Sequence, residues 1–115
     1  MAVLSSHLLN GVDGTHAGNV TISLIKIEPD GTRVLVFVSA SDEGGRFKEE
    51  VNVNSDDIYE MVIASGVYFA DREIPQNGLK ILNEIVVRFT MSDASRSYHI
   101  PIIMSPNSYS CWLSN

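Results

Sequence analysis

Val20-Thr21-Ile22-Ser23-Leu24-Ile25-Lys26-Ile27, then Pro29-Asp30-Gly31-Thr32, then Arg33-Val34-Leu35-Val36-Phe37-Val38-Ser39-Ala40 is the stretch that decides the fold. Val20, Ile22 and Leu24 fall on one face of a two-residue period, and Thr21 and Ser23 fall on the other. Asp-Gly between two β-rich runs is a hairpin signal, because the turn needs residues that tolerate positive φ. The return run is rich in valine and phenylalanine, which suit a pleated surface.

The same grammar extends in both directions. Asp42-Glu43-Gly44-Gly45 is a second turn, and Arg46-Phe47 opens a short strand beyond it. Residues 57–64, 97–104 and 109–113 read as further strands. Residues 84–90 alternate, with Ile85, Val87 and Phe89 on one face and Glu84 and Arg88 on the other. Asn77-Gly78 is another turn signal, and residues 65–71 are the one helical candidate, one or two turns long. Pro101 lies inside a strand pattern and cannot donate to a ladder, so an edge or bulge position is expected there. The last strand is expected to run to Asn115. Seven to eight short strands at regular spacing predict an all-β sandwich of two antiparallel sheets with one short helix. The 115 residues fit one domain spanning 1–115, long enough to bury roughly two-thirds of the unfolded surface.

Fourteen acidic against eight basic residues give a net charge of −6. That balance argues against a nucleic-acid or anionic-membrane surface, which needs clustered Lys and Arg. No apolar run approaches a membrane span, and the first residues lack a signal-peptide pattern. The single cysteine, Cys111, precludes an intrachain disulfide. A cytoplasmic location is the expectation.

Composition and spacing nominate little chemistry. There is no Cys-x-x-Cys or close histidine pair for a metal, no Gly-x-Ser-x-Gly elbow, and no glycine-rich phosphate loop, so no cofactor is expected. Cys111 reads as a small buried apolar side chain. His16, within Gly14-Thr15-His16-Ala17-Gly18, reads as a solvated loop histidine. His7 shares a face with Ser5 and Leu9, and His99 shares one with Ser97. Each is expected to be half-buried and hydrogen-bonded. Arg46 reads as a turn-flanking surface residue.

Three segments carry more together than apart: Leu4-Ser5-Ser6-His7-Leu8-Leu9-Asn10 with Gly14 and Ala17-Gly18-Asn19-Val20; Asp42-Glu43-Gly44-Gly45-Arg46; and Tyr98-His99-Ile100-Pro101-Ile102-Ile103-Met104-Ser105-Pro106-Asn107-Ser108-Tyr109-Ser110. In this order, with Tyr68-Phe69 and Glu84-Ile85-Val86-Val87 between them, they resemble the transthyretin-like family, specifically its 5-hydroxyisourate hydrolases. The resemblance covers essentially the whole chain. It implies a two-sheet sandwich, a homotetramer built as a dimer of dimers, and sites in the channel between dimers. It implies a cyclic-amide hydrolase of urate breakdown acting on a small-molecule substrate, with His7, Arg46 and His99 as catalytic residues. The hormone-carrying branch lacks the two histidines. The hydrolases end in Tyr-Arg-Gly-Ser, which lines the pocket; here the matching positions are Trp112, Leu113, Ser114 and Asn115. Leu113 removes a cationic donor, and a charge-assisted hydrogen bond is worth about 1.5–3 kcal/mol. Asn10 stands where the family usually has aspartate. Two alternatives follow: a related hydrolase acting on a less polar heterocycle, or a non-enzymatic tetramer that binds an apolar ligand.

Overall fold

A computed structural model describes residues 1–70, 72 and 78–114. Nine strands and one helix follow in order among these residues: β1 (Ala2–Asn10), β2 (Thr21–Ile27), β3 (Arg33–Ala40), β4 (Arg46–Val51), β5 (Ile58–Ile63), α1 (Ser65–Ala70), β6 (Ile85–Thr90), β7 (Ser97–His99), β8 (Ile102–Met104) and β9 (Tyr109–Cys111). They form two sheets, one in the order β4-β1-β8-β9 with β7 also on β1, the other β3-β2-β5-β6. The expected sandwich is therefore present.

The extra strand comes from Pro101. It has no N–H to give, and the ladder breaks between β7 and β8. Ile100 still donates its N–H to the Ser5 carbonyl at 2.9 Å, so both halves stay on β1. These two pairings run parallel, whereas β1 with β4 and β8 with β9 run antiparallel. The Asn77-Gly78 turn signal has its Asn77 outside the described residues, as has Asp71 at the end of the expected helix.

The decisive hairpin forms as its sequence demands. Glu28 N–H donates to the Thr32 carbonyl at 2.8 Å across the Asp30-Gly31 turn, where Gly31 has φ 89°. Val20, Ile22 and Leu24 are buried, whereas Thr21 is exposed. Opposite Leu24 and Ile25 the register skips Val36, a bulge in β3. β3 is an edge strand, and its Val34, Leu35, Val36 and Val38 are exposed. On the outer side of this sheet, Glu60 is buried and accepts hydrogen bonds from Arg33 and Arg88. Arg33 does most to hold its carboxyl below the usual range, and burial opposes it.

Between the sheets lies the core: Leu4 and Leu8 of β1, Ile22 and Leu24 of β2, Met61 and Ile63 of β5, Ile102 and Met104 of β8. Burial alternates residue by residue through all of β1. That alternation fixes which β1 side chains point outward: Val3, Ser5, His7 and Leu9. No helix among the described residues is long and apolar enough to cross a membrane.

Candidate active site

The outward face of β1 is where the sequence-nominated residues meet. In register, His7 lies opposite Arg46 of β4, and Ser5 lies between Lys48 of β4 and His99 of β7. Two adjacent rungs thus carry two imidazoles, a guanidinium, an ammonium and a hydroxyl. Ser5, Asp42, Arg46, Lys48 and His99 line a groove of about 300 Å³. The chain is acidic overall, but its two basic side chains here make the groove locally suited to an oxygen-rich or anionic molecule.

Each position has a local cause. Asp42 builds the turn before β4: its Oδ1 accepts from Gly44 N–H at 2.9 Å and Arg46 N–H at 3.0 Å, and its carbonyl accepts from Gly45 N–H at 2.9 Å. Gly45 has φ 78°, and a Cβ there would stand 2.4 Å from the Leu8 carbonyl oxygen. Only glycine lets the turn close onto β1 and set Arg46 beside His7. Ser5 Oγ lies 2.8 Å from His99 Nδ1 and holds that ring. Beneath them, buried Ser6 donates its hydroxyl to the Ile100 carbonyl at 2.6 Å, tying β1 to the segment that carries His99.

His7 is partly buried, and its pKa is lowered from 6.5. Desolvation is the largest cause, followed by the charges of Arg46 and His16; a backbone hydrogen bond at Gly44 opposes them, and His99 adds a small lowering. The imidazole is therefore biased to its neutral form, the form that accepts a proton.

His16 departs from its sequence reading. It is exposed in its loop, as expected, but its Nδ1 lies 2.8 Å from His7 Nε2, and the two near-parallel rings meet edge to edge with centroids 4.9 Å apart. Hairpin spacing was the only signal for it: a turn of that length after β1 brings a loop residue back beside the strand.

The C-terminal positions are divided. β9 stops at Cys111, short of the expected end, so Trp112 and Leu113 lie beyond the strand and are exposed. Ser114 returns to the site: its N–H donates to the His99 carbonyl at 2.8 Å. Asn115 lies outside the described residues. Cys111 is exposed, not buried, because β9 is an edge strand with all three residues open. Asn10, where aspartate was the usual residue, is buried and hydrogen-bonded through both its oxygen and its nitrogen. Its Oδ1 accepts from the N–H groups of Val12 and Asp13 at 2.8 and 3.3 Å, and its amide donates to Tyr68 Oη at 3.2 Å. Among the described residues no group of three or more His, Cys, Asp or Glu could hold a metal ion.

The model of the HIUase/Transthyretin family matches residues 4–113. The chain belongs to that family. Among its relatives, a 5-hydroxyisourate hydrolase of Pseudomonas aeruginosa is 27% identical over 97% of this chain and 90% of its own. The HIUase/Transthyretin fold recurs in the crystal structure of an (S)-allantoin synthase, with TM-score 0.82 and 25% identity over 99% of this chain but 44% of that one. This chain thus spans less than half the length of that synthase. Sea bream transthyretin in complex with thyroxine shares the fold at TM-score 0.79 and 19% identity, covering 96% of this chain and 93% of its own. A fold common to proteins with such different names leaves the chemistry to be argued from the groove.

Proposed function

We propose that this protein is a hydrolase of urate breakdown that opens 5-hydroxyisourate at a ring carbonyl–nitrogen bond. The observation that carries this reading is the outward patch of His7, Arg46 and His99, with His7 biased to the neutral form. The name of its Pseudomonas aeruginosa relative supports it.

His7 takes a proton from water as the water oxygen bonds to the ring carbonyl carbon. Arg46, with Lys48 beside it, receives the negative charge that collects on the carbonyl oxygen. As the carbon–nitrogen bond breaks, the His7 imidazolium returns its proton to the departing nitrogen. His99, held by Ser5, orients water and substrate. The reaction consumes one water and needs no cofactor. Trp112, Leu113 and Ser114 form the wall of the substrate site, and a homotetramer, a dimer of dimers, closes the groove.

The test couples the protein to urate oxidase and follows the decay of 5-hydroxyisourate by absorbance. Acceleration over the spontaneous rate is expected, with His7→Ala and His99→Ala each losing about 10²–10⁴-fold. No acceleration by the wild type would sink the reading, and full turnover in either variant would sink that residue's role. A second reading, a less polar heterocycle, is favoured by Leu113, half exposed where the family's hydrolases carry arginine. Gain of 5-hydroxyisourate turnover by Leu113→Arg from an inactive wild type would select it.

A further inference from the structure

Residues 11–17 leave β1, turn and come back to it. Asn10 N–H donates to the Thr15 carbonyl at 2.8 Å, and Ala17 N–H donates to the Leu8 carbonyl at 2.9 Å. Leu9 and His16 form an isolated antiparallel bridge. Side chains brace the loop from within: Asp13 Oδ1 accepts from Thr15 N–H at 3.0 Å and Thr15 Oγ1 at 2.6 Å. The backbone of His16 is therefore pinned, and its ring meets His7 in a fixed way. The rings are 20° from parallel, with Nδ1 of His16 2.8 Å from Nε2 of His7. Contact this short between near-parallel rings set edge to edge constrains both the tilt of the His7 ring and the nitrogen that bears its hydrogen.

We propose that His16 is a positioning residue of this enzyme, one that fixes the plane and tautomer of His7 and restricts the two rings to one excess proton. The proposal rests on the hydrolase reading for its catalytic meaning, but not for the pairing itself. The neutral pair holds one hydrogen on the line between the two nitrogens. Once His7 takes up a proton, that hydrogen sits on Nε2 and points at the Nδ1 lone pair of His16. A second proton would set two N–H groups against each other at hydrogen-bond distance, with no acceptor between them. The charged and titratable groups facing His7 are Arg46 from β4, His99 from β7 and His16 from the loop, and all three disfavour a charged His7. A backbone hydrogen bond at Gly44 opposes them. His16 alone among these groups both repels a second charge and offers a hydrogen-bond acceptor for the first.

The experiment reads ring nitrogen chemical shifts by ¹⁵N–¹H NMR on histidine-labelled full-length protein, alongside kcat/KM against pH. His16→Phe keeps a flat ring and removes Nδ1. His16→Asn keeps a short polar group near that atom and removes the imidazole charge. The wild type is expected to show one dominant His7 tautomer, His16→Phe a mixture with kcat down about tenfold, and His16→Asn the wild-type tautomer with kcat largely restored. In His16→Asn the His7 titration moves upward, and the acid limb of kcat/KM moves with it. If His7 shows the same tautomer and titration in a folded His16→Phe protein as in the wild type, the proposal is overturned. If the wild type fails to hydrolyse 5-hydroxyisourate, the functional reading falls while the tautomer and titration readouts still decide the pairing.

Discussion

At the scale of single residues, the site depends on His7 staying neutral. Its pKa is lowered from 6.5, first by desolvation and then by Arg46. A lowered histidine binds fewer protons folded than unfolded in the window just below pH 6.5. Stability from neutral His7 is thus present above that pH and is lost as pH falls through the folded value. Activity follows the same sign, since the base works only unprotonated. kcat/KM is expected to be flat above about pH 6.5 and to fall about tenfold per unit well below the folded pKa. An acid limb breaking above pH 6.5 would contradict His7 as the base. Ser5 gives the companion prediction for His99. Losing its bond to Nδ1, worth about 1 kcal/mol, lowers kcat about fivefold in Ser5→Ala. Thermal stability should change little, since Ser5 faces outward from the core. Wild-type kcat in Ser5→Ala would show that the 2.8 Å contact does not orient the ring.

At the scale of elements, the Asp42–Gly45 turn is what converts a hairpin register into a site. Gly45→Ala is expected to cost about 2 kcal/mol, from left-handed backbone and the collision with the Leu8 carbonyl, or a fall of roughly 10 °C in Tm. KM rises as Arg46 shifts from His7. Gly44→Ala is the control: the added Cβ would meet only Asp42 Oδ1, at 3.4 Å. Calorimetry giving both variants the same Tm would refute this account. Turns and strand periods were legible because they are local: Asp30-Gly31 and the alternation of 84–90 follow from neighbours in the chain. His7 and Arg46 could be named from their segments, but their register opposition could not. Nor could the bond of Ser5 to His99, 94 positions apart, since parallel pairing of β1 with β7 is a tertiary choice. The same holds for His16, whose partner depends on how the loop rejoins Leu9, and for Cys111, exposed because β9 ends up at a sheet edge.

At the scale of the whole molecule, the groove is more open than the proposed chemistry favours. Arg46 and Lys48 are exposed in the isolated chain. Two charges 4 Å apart interact by about 1 kcal/mol in bulk water and by about 4 kcal/mol at an effective dielectric of 20. The proposed tetramer, by closing the face with further copies of the chain, would supply that difference and exclude competing water. The same sheet offers apolar surface for it. Leu9 and Ile103 are register partners on the outward side, Ile103 is 38% exposed, and Trp112 and Leu113 are 45% and 50% exposed beyond β9. β9 adds a strand at the sheet edge, which a second copy can extend. Light scattering on purified protein is expected to give the mass of four 12.6 kDa chains. Ile103→Lys sets a charge on the outward face that the proposed tetramer would cover. It is expected to break the particle into smaller species and to remove turnover with it, while circular dichroism stays native because this side chain lies outside the core. A wild-type monomer with full turnover, or a dissociated Ile103→Lys protein that keeps its rate, would show that one chain suffices for the site.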